Sequence, residues 1–91
     1  MRQLILPSTL MHPQAKACRD AWVAELRAAP ASSAWQVDAS ALTQFDSSAL
    51  AVLLACRREA LALGHDFEVR QMPDKLRELA TLYGVSAILL G

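Results

Sequence analysis

The sequence predicts an α/β fold: a single domain over 1–91, with a small mixed β-sheet and helices packed mainly on one face. Three observations carry that expectation. Short stretches of period two alternate with longer ones whose apolar residues recur every three or four positions. Breakers fall between them, at Pro7, Pro30, Gly64, Pro73 and Gly84. The apolar share, 54% of 91 residues, is enough for one core, and the chain is too short for two. Strand–helix alternation in turn implies parallel pairing through right-handed crossovers.

Gln3–Leu6 reads as a short strand ended by Pro7-Ser8, and Leu10-Met11 extends the pairing. From Pro13, a residue suited to a helix's first turn, Ala17, Cys18, Ala21, Trp22, Val23 and Leu26 recur at helical spacing. That helix runs to Ala28, where Pro30 and Ser32-Ser33 end it. Trp35, Val37 and Ala39 alternate with Gln36, Asp38 and Ser40 as a second strand. Ala41–Phe45 is read as a loop with Leu42 and Phe45 turned inward.

A second helix follows over about Ser48–Leu63, with Gly64 just past its end. Leu50, Leu53, Leu54, the stem of Arg57 and Leu61 are expected to face inward. Ala51, Ala55, Arg58 and Ala62 fall on the opposite side. Phe67 and Val69 mark a third strand, closed by Met72-Pro73. Asp74 is expected to cap a third helix that buries Leu76, Leu79, Ala80 and Tyr83, with Gly84 as its stop. Ala87–Leu90 is a last apolar stretch, strand or helical turn.

The composition excludes several functions. Nine basic side chains balance nine acidic ones, so no field recruits nucleic acid or an anionic membrane surface. The longest apolar run, Ala49–Cys56, falls far short of the roughly 20 residues that span a bilayer. Leu4-Ile5-Leu6 is too brief for a secretory signal, and a cytoplasmic location is expected. Cys18 and Cys56 lack CxxC spacing and read as structural thiols, with no metal site implied. No enzyme is expected. Asp46 and Ser47 are adjacent and cannot provide triad geometry with His65, and no nucleophile elbow or metal-binding motif occurs. His12 and His65 lie beside Pro13 and Gly64 and read as exposed turn residues. Three glycines cannot build a phosphate cradle, which leaves nucleotide binding a weak alternative and no cofactor expected.

The most informative stretch is Phe45-Asp46-Ser47-Ser48-Ala49-Leu50. Asp and Ser here are natural N-caps, since their oxygens accept from N–H groups that lack helical partners. Ser47 thereby places a hydroxyl at the positive end of a helix, where added negative charge is stabilised. Asp46 either holds the loop by capping or assists a phosphoryl transfer to Ser47. Ser48 reads as a second, locally satisfied hydroxyl. The small outer face of the helix, Ala51 and Ala55 with Arg58, admits close approach of another backbone and is a candidate docking face.

Val37-Asp38-Ala39-Ser40 followed by Phe45–Leu50 resembles the signature strand, loop and helix start of STAS domains. That family includes antagonists of anti-sigma factors and the cytoplasmic tails of sulphate transporters. Asp74-Lys75-Leu76 through Leu79-Ala80-Thr81-Leu82-Tyr83 is similar to the closing helix of MlaB-like proteins, the STAS subunits of the Mla phospholipid ABC transporter. The resemblance implies a binding module whose partner is that transporter's cytoplasmic ATPase, held at the inner membrane through the partner. The alternative it implies is an anti-sigma-factor antagonist, bound to an anti-sigma factor kinase and switched by phosphate on Ser47. Ala49 stands where the antagonists typically have Gly, which weighs against a kinase of that type.

Overall fold

A computed structural model describes residues 2–90. The elements in chain order are β1 (Arg2–Ile5), β2 (Thr9–Leu10), α1 (His12–Ala28), β3 (Ala34–Asp38), β4 (Gln44–Phe45), α2 (Ser47–Ala62), β5 (Asp66–Arg70), α3 (Asp74–Leu82) and α4 (Ser86–Leu90). The α/β architecture follows the sequence pattern. The last apolar stretch, left open between strand and turn, is helical.

The main sheet has the order β1-β3-β5 with both pairs parallel. Leu4 stands opposite Val37, and Val37 opposite Val69, so the three share one face. These residues are buried, together with Trp35. The other face carries Gln3, Ile5, Gln36, Glu68 and Arg70, none of them buried. The helices therefore cover one face, as two successive crossovers of one hand, stepping in one direction, require. β2 and β4 form a separate parallel pair, Thr9 with Gln44 and Leu10 with Phe45. The Ser8 carbonyl accepts from the N–H groups of Thr43 and Gln44, 2.9 Å each, and steers the two segments together. Gln44–Phe45, expected as loop, is thus a two-residue strand. Phe45 is partly buried against the core, and Leu42 is buried as expected.

α1 and α2 pack through Trp22 and Leu26 on one side and Val52, Leu53, Cys56 and Ala60 on the other. This corrects the expected phase of α2. Leu50 and Leu53 face inward, but Ala49, Val52, Cys56 and Ala60 complete the buried stripe, Leu54 is half-buried, and Leu61 is 48% exposed. The helix is apolar around much of its circumference, so sequence spacing left its orientation weakly specified. Burial pushes the Cys56 thiol up to about 12, so it stays protonated and packs as a small apolar group. An Arg27–Glu59 ion pair closes one end of the seam between α1 and α2.

His65 is a second correction. It is buried, not exposed: Nδ1 accepts from the Ser33 N–H at 3.0 Å and Nε2 lies 2.9 Å from the Leu26 carbonyl. An Nδ1 that accepts leaves the proton on Nε2, which donates to Leu26. One imidazole thus ties the end of α1, the entry to β3 and the exit from α2.

α2 and α3 end alike. In α2 the His65 N–H donates to the Ala60 carbonyl and Gly64 to Leu61; in α3 Val85 donates to Ala80 and Gly84 to Thr81. This paired closure needs a left-handed residue after the cap, supplied by Gly64 at φ 76° and Gly84 at φ 73°. At the start of α3, Pro73 is the N-cap residue and Asp74 opens the first turn without a capping bond, contrary to expectation. Tyr83, expected inward, is 58% exposed. It lies one residue past α3, where the chain has begun to turn away from the buried face of Leu76 and Ala80.

Candidate functional site

The site is built on the start of α2. β4 delivers Phe45, and Asp46 follows in extended conformation as the N-cap. Asp46 Oδ1 accepts from the Ser48 N–H at 2.8 Å, while Oδ2 accepts from the His12 N–H at 3.1 Å. One carboxylate therefore holds the first turns of both long helices. The Ser48 N–H above all, joined by the His12 N–H and opposed by partial burial, holds the carboxyl below the usual carboxylate range. Both oxygens are engaged, which is a capping arrangement.

Ser47 is the first residue of α2 and is exposed. Ser48 is half-buried and lines a cavity of about 360 Å³ between α1 and α2, with His12, Lys16 and Arg19. Ala49 is fully buried, so its methyl group fills core space that a Gly would leave empty.

Ser47 opens onto a different depression. A cavity of about 280 Å³ is lined by Ser47, Leu50, Ala51, Leu54, Tyr83 and Val85. Leu54 and Val85 also line the next one, about 340 Å³, with Arg57, Arg58, Leu61 and Ile88. The two form a continuous groove along α2, walled on its far side by the α3–α4 corner. A third depression, about 700 Å³, includes Met11, Phe45, Leu79 and Leu82. Phe45 and Leu82 place it two residues from Ser47 and one from Tyr83 along the chain.

The distribution of exposed apolar side chains follows this band. Among the described residues six large hydrophobics are exposed, and five line it: Met11, Leu61, Leu82, Tyr83 and Ile88; Ile5 is the exception. Scattered exposed Leu needs no explanation, but the gathering of five such side chains in the depressions around α2 and the α3–α4 corner marks a candidate interaction surface.

The structure redraws the expected docking face. Ala51 and Arg58 line the groove, whereas Ala55 is half-buried and lines none of these depressions. The sequence reading missed the opposite wall, Tyr83, Val85 and Ile88. Gly84 carried the available signal: a helix stop followed at once by a short apolar segment places that segment back against its neighbours.

The arrangement offers a hydroxyl at a helix N-terminus, inside an apolar surface, with the adjacent carboxylate committed to capping. Among the described residues no group of three His, Cys, Asp or Glu side chains is placed to hold a metal, and no helix is long and apolar enough to cross a membrane. The family described as Mlab, STAS domain, matches the chain over residues 3–91. No curated protein matches it.

Proposed function

The chain belongs to the STAS domain family, and from that premise we propose that it binds the cytoplasmic ATPase of an Mla-type phospholipid-transport ABC complex and supports its assembly or activity. STAS domains are in general non-catalytic binding modules. The observation that carries this reading is the exposed Ser47 hydroxyl at the head of an apolar groove. The family description, Mlab, supports the choice of partner.

Ser47 serves as a direct contact. Its position in the first turn lets the hydroxyl donate a hydrogen bond to a partner's acceptor, while Ala51, Leu54 and Tyr83 bury apolar surface around that bond. Small residues beside Ser47 let the partner's backbone approach closely, which raises the cost of any bulky group introduced there.

Ser47→Arg tests the reading. A guanidinium forced into this contact clashes and leaves a desolvated, unpaired charge, so capture of the purified ATPase subunit falls to background. The fold survives, because Ser47 is exposed. Equal capture by wild type and variant overturns the reading. Ser47→Thr binds normally. A phosphate mapped to Ser47 in native protein, with constitutive partner binding by Ser47→Ala, supports the antagonist switch instead.

A further inference from the structure

We propose that the far end of the groove, between Leu54, Leu61, Val85 and Ile88, receives an acidic amphipathic segment of the partner ATPase. The proposal rests on the reading that this ATPase docks at Ser47, and it adds the chemistry of the segment that meets the groove.

The apolar floor sets the first requirement. Leu61 and Ile88 are each about half exposed, at 48% and 47%, and face the same depression from α2 and α4. Leu54 to Leu61 spans seven residues of α2, or about 10 Å at the helical rise, which matches two turns of a partner helix. A segment with apolar residues three or four apart lays one face into such a groove.

The rim sets the second. Among the described residues, Arg57 and Arg58 are the only charged ones lining this depression. Positions three and four away from them on α2 are Leu53, Leu54, Ala55, Ala60, Leu61 and Ala62, so the helix supplies neither with a carboxylate. Their neighbour Glu59 is taken by Arg27 across the seam. Lys16, Arg19, Arg27 and Arg70 each have a carboxylate partner; Arg57 and Arg58, like Arg2, Lys75 and Arg77, are in none of the ion pairs among the described residues, and only these two line an apolar depression with no carboxylate beside them. Two unpaired guanidinium groups beside an apolar floor favour carboxylates, which they bind in a forked geometry. A second copy of this chain is a poor occupant: a two-fold contact through the same groove brings arginine against arginine.

The test measures binding of the purified ATPase subunit to wild type, Arg58→Glu, Arg57→Gln with Arg58→Gln, and Ser47→Arg, at low and high salt. Arg58 is exposed and in no ion pair, so Arg58→Glu melts with the wild type. It is expected to weaken binding about tenfold at low salt through like-charge repulsion. The neutral double variant weakens it about threefold, and both gaps close at high salt, where rim charges are screened. Wild-type affinity and salt dependence in Arg58→Glu, with binding lost in Ser47→Arg, overturns this proposal and leaves the reading of Ser47 standing. Tighter binding by Arg58→Glu also overturns it, since the segment would then be basic. No binding by the wild type removes both.

Discussion

α2 has two flanks, and they treat the same kind of side chain in opposite ways. Toward α1, Val52, Leu53, Cys56 and Ala60 are buried, with Arg27–Glu59 at one end, His65 tying the strand entry below, and the depression at His12, Lys16, Arg19 and Ser48 opening the other end. Toward the α3–α4 corner, Leu54, Leu61, Val85 and Ile88 line an open groove. One flank buries its apolar area within the chain, and stability resides there. The other holds apolar area in reserve, which is useful only if a partner covers it.

That division can be broken by mutation. The largest effect is expected on the buried flank: Leu53→Ala removes a fully buried side chain and lowers unfolding stability by about 2–5 kcal/mol in a urea titration. A change below 1 kcal/mol would mean the seam is loose. Next comes His65→Phe, which keeps an aromatic ring, though a larger one, but strands the Ser33 N–H and the Leu26 carbonyl, at a cost of about 2 kcal/mol. An unchanged melting temperature would deny the imidazole its tie.

A smaller effect is confined to acid. The folded-state pKa of Asp46 is depressed, so its contribution is fully present above the ordinary carboxylate value near 3.8 and is lost as pH falls through the depressed one. Asp46→Asn should flatten that acid limb. Asp20 and Asp38 are also held low and titrate in the same window, so the signal is the difference between wild type and variant. Parallel pH–stability curves would contradict the double cap.

The same contrast explains what the sequence made legible. Alternation at Trp35–Ala39 and the stops at Gly64 and Gly84 specify strands and helix ends through local chemistry, and both appear as read. The cap at Asp46 and the placement of Ser47 were equally local. The orientation of α2 was not, because a helix apolar on most sides does not say which neighbour will cover it. His65 was misread for a related reason: its partners Leu26 and Ser33 lie 39 and 32 residues away, and only the packed fold brings them to the ring. β4 escaped because two residues carry no period. The groove's outer wall escaped because Tyr83 follows the helical spacing of α3 in sequence, while the chain has already left the helix in space.

On the open flank the smallest stability effect is expected. Leu61→Ser should lower unfolding stability by only about 1 kcal/mol, since half its side chain is already exposed, yet weaken partner binding several-fold. Loss of stability comparable to Leu53→Ala would erase the distinction between the flanks.

The most direct test is residue-resolved mapping of the bound surface, by amide chemical shifts of the labelled chain titrated with the purified ATPase subunit. The account predicts that perturbations gather at Ser47, Ala51, Leu54, Tyr83, Val85 and Ile88, and leave the open sheet face at Gln3, Gln36 and Glu68 silent. Perturbations centred on that sheet face, with Ser47 and Tyr83 unmoved, would contradict it.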